Sequence, residues 1–275
     1  MSWCALDVQS PLGSRDAVAA WLVGRTGQAV EEREDGVLIG FAARDAAAEL
    51  LTELRNQFGS VVMGAARALP DEDWSVTWRK GLGPRRIGRL VVTPSWAVPP
   101  ESNALVVVID PETAFGTGEH ASTRTALALL DRWVKAGDRV LDLGSGSGIL
   151  AIAALRLGAS RAVGVDLDPE AEPVARANAL HNGVAERAAF ITGDAGVLAP
   201  LIGPAELVVS NILRSRNEAL LPVVRAALAP GGTVIFAGME QGEAEGFRES
   251  LRREAFVVVD QASDDNWWGV ASRGR

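Results

Sequence analysis

The chain has 275 residues, of which 48% are hydrophobic and 23% charged, and its formal net charge is −8. This length allows two domains, no apolar run reaches the ~18 residues of a membrane span, and the negative charge argues against a general nucleic-acid binder. Cys4 is the single cysteine and there are two histidines, which excludes a disulfide framework and a conventional zinc site. The N-terminus carries no secretory signal pattern, so we expect a cytoplasmic protein with no membrane partner.

The first 66 residues predict a small domain of their own. Asp35-Gly36 is a strong hairpin signal between two apolar runs, and 45–58 has the spacing of an amphipathic helix. The order of elements favours an α+β ferredoxin-like domain. The predicted elements are strands at 3–8, 28–34, 36–42 and 61–66 and helices at 15–23 and 45–58.

Acidic residues outnumber basic ones in this domain. Two interpretations stay open: a docking face for a basic substrate, or an ordinary solvated surface. Residues 67–89 are predicted to form a linker, which contains a short helix after Pro70 and a basic, glycine-containing run from Arg79 to Arg89. The expected division is therefore 1–66 for substrate recognition, 67–89 for the linker and 90–275 for the second domain.

From residue 90 onward, strands alternate with helices, which is the pattern of a doubly wound parallel sheet. The last two strands lack a crossover helix between them, so they are expected to pair as an antiparallel hairpin at the sheet edge. The prediction is a seven-stranded Rossmann-like sheet. Its strands fall near 139–143, 161–166, 188–192, 206–210, 232–237, 255–260 and 267–272.

The glycine motif lies at the end of the first of these strands. Gly144, Gly146 and Gly148 alternate, and Asp166 ends the next strand 22 residues after Gly144. This is the layout of a nucleoside-binding βαβ unit, with the acid placed to accept hydrogen bonds from the two ribose hydroxyls. Dinucleotide folds use G-x-G-x-x-G, whereas position 149 here is Ile, which disfavours a nicotinamide-dependent oxidoreductase or a non-catalytic nucleotide-binding module.

With Asp142 in front of it, G-x-G-x-G resembles the first motif of class I S-adenosylmethionine-dependent methyltransferases. The resemblance implies S-adenosyl-L-methionine as the cofactor. That molecule carries a sulfonium and no phosphate, so it needs no pyrophosphate cradle. In such enzymes an acid after the third strand commonly accepts a hydrogen bond from the adenine amino group, and Asp194 has that position here. A plain loop turn at Asp194 is an equally open interpretation.

The stretch DPETAFGTGEHASTRTAL, which begins at Asp110, makes the resemblance specific. It is similar to the A-F-G-T-G-x-H-x-T-T loop of the PrmA family, bacterial methyltransferases of ribosomal protein L11, with Ser122 in place of the first threonine of the pair. The resemblance implies that Thr123 contacts the cofactor and that the loop covers it. Capping of the following helix by Ser122 or Thr123 is compatible with this role. His120 either shapes the cofactor lid or forms a local hydrogen bond.

A third motif is the apolar strand that ends at Asn211, followed by Ile and Leu as in the N-I-L of the PrmA family. Carboxyl ends of parallel strands hold the ligands of open α/β sheets. Asn211 is therefore expected to contact the cofactor and to orient the target amine, although a buried turn asparagine is an alternative. The absence of the N-P-P-Y pattern argues against methyltransferases of nucleic-acid bases and of glutamine.

The resemblance extends over nearly the whole chain and implies methylation of lysine ε-amines and of the N-terminal α-amine of a large-subunit ribosomal protein. The alternative is an enzyme of the same fold acting on another protein lysine or on a small amine. No general base is expected, because a partly dry site beside a sulfonium lowers the pKa of the target amine. We expect a monomer with no direct nucleic-acid partner.

Overall fold

The computed structural model describes residues 3–26, 30–33, 37–59, 63–68, 83–99, 104–110 and 120–274. The chain divides into two compact units, Met1–Gly81 and Leu82–Arg275, here called unit 1 and unit 2. Unit 1 has its own hydrophobic core, and unit 2 has two further core clusters. No helix in the described part of the chain is long and apolar enough to cross a membrane.

Unit 1 is an antiparallel sheet with strand order β2-β3-β1-β4 and two helices. Apolar side chains at alternate positions of β1 (Cys4, Leu6 and Val8) form its core with the helices. The β-α-β-β-α-β order and this strand order confirm the ferredoxin-like prediction; the Asp35-Gly36 turn lies outside the described residues. The elements are β1 (Trp3–Gln9), α1 (Arg15–Thr26), β2 (Glu31–Glu32), β3 (Val37–Ala43), α2 (Ala47–Phe58) and β4 (Met63–Ala68).

Unit 2 is built on a seven-stranded sheet of order β10-β9-β8-β11-β12-β14-β13. The first five strands of that order are parallel, and β14 pairs antiparallel with both β12 and β13. The predicted Rossmann-like sheet with an antiparallel edge hairpin is confirmed. Its strands are β8 (Arg139–Leu143), β9 (Arg161–Asp166), β10 (Ala188–Thr192), β11 (Ala205–Asn211), β12 (Leu228–Glu240), β13 (Phe256–Asp264) and β14 (Trp267–Gly274).

Helices cover both faces of this sheet, as the right-handed crossovers of parallel strands require. One core cluster contains apolar residues of α3, α4 and α5, and the other contains those of α6, α7 and α8. Strands β9 and β10 follow β8 along the chain and lie on one side of it in the sheet, whereas β11 and β12 lie on its other side. The direction in which successive strands are added therefore reverses between β8 and β11. The helices are α3 (Ala121–Trp133), α4 (Ile149–Arg156), α5 (Ala171–His181), α6 (Ala195–Ile202), α7 (Arg214–Ala227) and α8 (Ala244–Arg253).

A small three-stranded sheet in unit 2 was not predicted. It consists of β5 (Arg85–Ile87), β6 (Leu90–Thr93) and β7 (Leu105–Val108) in that order, and Leu90, Val92 and Val107 join the main core. Such short strands have too little periodicity to be recognised alone. The end of β4 at Ala68 and the whole of β5 lie within the 67–89 range that the sequence assigned to a linker.

Candidate active site

A cavity of about 500 Å³ lies at the carboxyl ends of β8 and β11, where the strand order reverses. This switch point is where open α/β sheets bind their ligands, and the volume is within the roughly 300–1,000 Å³ range of ligand pockets. The structure brings all six sequence-predicted site residues to its wall. They are Thr123, Gly144, Gly146, Asp166, Asp194 and Asn211.

The glycine turn between β8 and α4 requires its glycines for two reasons. Gly144, Gly146 and Gly148 all have positive φ, at 77°, 49° and 78°, which is costly for residues with a Cβ. A Cβ on Gly144 would also collide with the side chain of Ile212, and one on Gly148 would lie 2.9 Å from the Phe190 ring. The turn therefore packs tightly against its neighbours while leaving its cavity side open.

Asp166 is held at the end of β9 by the backbone of the glycine turn. Its Oδ2 accepts a hydrogen bond from the Gly146 N–H at 2.7 Å, and its Oδ1 accepts one from the Asp168 N–H at 3.0 Å. Each carboxylate oxygen can accept a second bond. The carboxylate is thus fixed in place and retains acceptor capacity on the cavity wall, as a pair of ribose hydroxyls requires.

Asp194 caps the helix that follows the third parallel strand. Its Oδ1 accepts a hydrogen bond from the Gly196 N–H at 2.7 Å at the N-terminus of α6. The sequence also allowed a purely local role for Asp194 in a turn, and this hydrogen bond shows that Asp194 does have a local role. Because Asp194 also lines the cavity, the same carboxylate stands where a ligand can reach it.

The helix cap at α3 differs from the prediction. His120, not Ser122 or Thr123, is the N-cap residue, and its Nδ1 accepts a weak hydrogen bond from the Ser122 N–H at 3.4 Å. Ser122 and Thr123 are already inside the helix and buried. The His120 ring also makes an edge contact with Trp267 at 4.5 Å between centroids. The covering loop predicted before it, at 111–119, lies outside the described residues.

Asn211 joins the end of β11 to the start of α3. Its Nδ2 donates a weak hydrogen bond to Thr123 Oγ1 at 3.4 Å, so two predicted site residues 88 positions apart are in contact. Within the described part of the chain, Asn211 Oδ1 is buried and has no hydrogen-bond partner. A buried amide oxygen without a donor costs free energy. Asn211 lines the cavity, but its amide oxygen is turned away from the open space and has no donor among the described residues.

Several cavity-lining residues were not identified from the sequence. Ile149, Leu150 and Leu167 adjoin the recognised motifs and could have been inferred from them. Ile212 likewise adjoins Asn211 in the N-I-L motif, whereas Arg216, Ala219 and Leu220 carry no spacing signal, because only the packing of α7 beside the sheet brings them to the cavity. Among the described residues, the wall contains two carboxylates, Asp166 and Asp194, and one guanidinium, Arg216, which suits a cationic ligand better than a polyphosphate.

Asp142 lies fully buried on β8, below the glycine turn. Its Oδ2 accepts a hydrogen bond from the Ala151 N–H at 3.1 Å, and its Oδ1 has no partner within the described residues. Burial is the main cause that raises the pKa of this carboxyl; the hydrogen bond from the Ala151 N–H opposes the rise and the nearby charge of Asp166 adds to it, and the resulting pKa is about 7. Asp142 is therefore a carboxyl that changes charge near neutral pH.

Replacing Asp142 with asparagine is expected to stabilise the free protein at alkaline pH. The pKa of Asp142 is higher in the folded protein than in the unfolded chain. The stability that this carboxyl contributes is therefore complete below the unfolded-state pKa and is lost as the pH rises through the folded-state pKa. At pH 8 the free energy of unfolding of Asp142→Asn should exceed that of the wild type by about 2 kcal/mol or more, since one pKa unit corresponds to about 1.4 kcal/mol. The gain should shrink at pH 5.

Urea unfolding at pH 5 and pH 8 measures this difference. Asp138→Asn is the control, because that carboxylate lies near the surface and accepts only a local bond from the Lys135 N–H. A stability difference between Asp142→Asn and the wild type that is the same at both pH values would contradict the assignment.

The parallel sheet with its edge hairpin, the glycine turn and the acid at the end of β9 together define a class I S-adenosylmethionine-dependent methyltransferase. Residues 23–274 match the family model of ribosomal protein L11 methyltransferase (PrmA). The chain belongs to this family. Its cofactor is S-adenosyl-L-methionine, and the described residues of the cavity fit that molecule, because they combine a carboxylate with unused acceptor capacity, apolar side chains and more acidic than basic groups.

Named relatives are similar over most of their length. The ribosomal protein L11 methyltransferase of Pelotomaculum thermopropionicum is 41% identical over 211 residues, which cover 76% of this chain and 68% of that protein. That of Thermus thermophilus is 41% identical over 204 residues, covering 74% and 78%. The crystal structure of the ribosomal protein L11 methylase of Lactobacillus delbrueckii subsp. bulgaricus superposes with a TM-score of 0.64 at 29% identity, over 70% of this chain and 99% of that one.

Proposed function

We propose that this enzyme methylates amino groups of ribosomal protein L11, namely lysine ε-amines and the N-terminal α-amine. The single observation that carries the amine assignment is Asn211, whose buried Oδ1 has no donor within the described residues. Rotation of the Asn211 amide toward the cavity breaks only a weak bond to Thr123 and lets this oxygen accept the N–H of an amine. The names of the relatives support L11 as the protein that carries the amine.

We assign the cofactor contacts from the same geometry. Asp166 accepts from the ribose hydroxyls through the lone pairs that its backbone bonds leave unused, and Asp194 accepts from the adenine amino group. Gly144 and Gly146 let the backbone approach the cofactor without a Cβ. Thr123 contacts the cofactor from the first turn of α3 while its Oγ1 accepts from Asn211.

When bound, the cofactor supplies a methyl group activated by a sulfonium. The chain supplies alignment: Asn211 Oδ1 accepts one N–H of the amine and so fixes the direction of its lone pair. At neutral pH the free amine is protonated, and it must lose that proton to solvent before it can attack the methyl group. The partly buried site favours this loss, because desolvation lowers the pKa of the amine. No residue is assigned as a general base, because Asp166 and Asp194 are both engaged by backbone N–H groups.

We further propose that unit 1 recognises the protein substrate and that the enzyme acts as a cytoplasmic monomer without binding nucleic acid. Unit 1 has an acidic balance, which favours encounter with a basic protein. The net charge of −8 weighs against a polyanionic partner.

The direct test is methyl-label transfer from radiolabelled cofactor to a lysate that lacks this activity. We expect one labelled band that mass spectrometry identifies as L11, with label on lysine ε-amines and the N-terminal amine. Label on another protein or on a small amine would replace L11 as the substrate. No transfer to any amine would refute the proposed activity.

Asp166→Ala is expected to weaken cofactor binding by ~2–3 kcal/mol, because a charged acceptor of two hydroxyls is removed. Isothermal titration calorimetry with S-adenosyl-L-methionine measures the change. Asp168→Ala is the matched control: it lies two residues further on and its Oδ1 accepts from the Glu170 N–H, so the cofactor Kd should stay close to that of the wild type. Equal affinities for Asp166→Ala and wild type would remove Asp166 from the site.

A further inference from the structure

Ile212, the residue after Asn211, is held on three sides. Its side chain occupies the space that a Cβ on Gly144 would fill. Its backbone passes so close to Gly238 that a Cβ there would lie 2.7 Å from the Ile212 nitrogen and 2.8 Å from its carbonyl carbon. Its carbonyl oxygen accepts a hydrogen bond from Asn217 Nδ2 at 3.1 Å. The end of β11 is therefore clamped between the glycine turn and β12.

Asn217 is the side chain that completes this clamp. It is fully buried in the first turn of α7, and its Nδ2 also donates to the Ala237 carbonyl at 3.0 Å. One amide group thus bridges the segment after β11 to the end of β12, next to the close approach at Gly238. Asn217 itself is absent from the cavity wall, so any effect on the reaction passes through Asn211 and Ile212.

The amide of Asn217 is poorly suited to stabilising a core. Its Oδ1 is buried and has no partner within the described residues, and a buried acceptor without a donor is destabilising. A leucine has a similarly branched shape and would leave no orphaned oxygen, although both carbonyl bonds would be lost. Removing the Nδ2 donor therefore has a cost of its own, because the Ile212 and Ala237 carbonyls each lose a hydrogen bond.

We propose that Asn217 is a positioning residue which, together with Gly238, sets the placement of Asn211 and Ile212 against the glycine turn. This inference rests on the proposed function of Asn211. A displacement of about 1 Å at a reacting group can cost on the order of 100-fold in rate. A clamp on the adjacent residue is therefore a sensitive control of the methyl-transfer step.

The first test is Asn217→Leu in the full-length enzyme. We expect kcat for L11 methylation to fall about 10-fold, while the cofactor Kd and the KM for L11 change by less than about 3-fold. The free energy of unfolding is expected to fall, because two carbonyl bonds are lost, so kcat is compared under conditions in which the variant is fully folded. Amide hydrogen exchange in the peptide 211–217 should accelerate, which is a readout independent of activity.

The second test displaces the same segment from the opposite side. Gly238→Ala introduces the collision with Ile212, and Gly231→Ala is its matched control. Both glycines lie on β12 with similar positive φ, 83° and 76°, but a Cβ on Gly231 would meet nothing within 4 Å. The two variants thus share the backbone strain, and only Gly238→Ala should lower kcat and accelerate exchange at 211–217.

Unchanged kcat with unchanged exchange in Asn217→Leu would overturn the proposal. So would an equal loss of kcat in Gly238→Ala and Gly231→Ala, because strain alone would then account for it. If the wild-type enzyme transfers no label to L11, the proposed function fails. In that case, comparing amide hydrogen exchange at 211–217 between Gly238→Ala and Gly231→Ala still decides whether the clamp holds these residues in place.

Discussion

Asn211→Ala should lower kcat for methylation of L11 by about 100-fold, the loss typical of removing one well-placed polar group from an active site. The cofactor Kd should stay within about 3-fold of the wild type, because cofactor affinity rests mainly on Asp166 and the glycine turn. The physical reason is the orphaned Oδ1 of Asn211, which we assign to the amine N–H. Without it the lone pair of the amine has no fixed direction.

Steady-state label transfer and calorimetry of the cofactor separate these two effects. Asn266→Ala is the matched control, since that asparagine hydrogen-bonds Glu240 and is absent from the cavity wall. Wild-type kcat in Asn211→Ala would remove the residue from the reaction. A large loss of cofactor affinity with normal kcat would assign it to cofactor binding instead.

Removal of residues 1–70, which contain every described strand and helix of unit 1, should abolish methylation of L11 while preserving cofactor binding. Every described residue that lines the cavity belongs to unit 2, and unit 2 has core clusters on both faces of its sheet. A shortened protein beginning at Asp71 should therefore fold and bind S-adenosyl-L-methionine. It lacks the proposed recognition unit, so label transfer to L11 should fall to background.

Calorimetry and label transfer on the shortened protein check both halves of this expectation. Circular dichroism and cooperative urea unfolding are the folding controls. Methylation of L11 at the full-length rate would show that unit 1 is not the recognition unit. Loss of cofactor binding in a folded protein would show that unit 1 contributes to the cofactor site.

The two units could be predicted from the sequence because their signals are local. A period of two or of 3.6 in the apolar residues reports which face of an element is buried. The order β-α-β-β-α was enough to propose the ferredoxin-like unit, and alternating strands and helices were enough for the seven-stranded sheet. Strands of three or four residues, such as β5 and β7, lack that periodicity, so their sheet was missed.

The cofactor motif was also readable from the sequence, because the glycine turn and Asp166 act through spacing within a single βαβ unit. The backbone N–H of Gly146, in the turn after β8, donates a hydrogen bond to the Asp166 carboxylate at the end of β9, and the motif spacing brings these two positions together. The helix cap at His120 was not foreseen. Ser122 is ordinarily the better capping residue, and only the observed backbone path into α3 leaves His120 at the cap.

The sequence by itself determined the fold class and, through the spacing of Gly144, Gly146 and Asp166, a nucleoside-type ligand, since each depends on residues close together along the chain. The resemblance of its motifs to the PrmA family implied the cofactor and the remaining wall residues, Thr123, Asp194 and Asn211. Tertiary structure alone decided which distant groups meet. It brought Thr123 to Asn211, placed Arg216 on the cavity wall and closed Ile212 between Gly144 and Gly238. It also buried Asp142 deeply enough to raise its pKa to about 7. Such contacts and desolvation depend on the packing of helices against the sheet, which no spacing along the chain specifies.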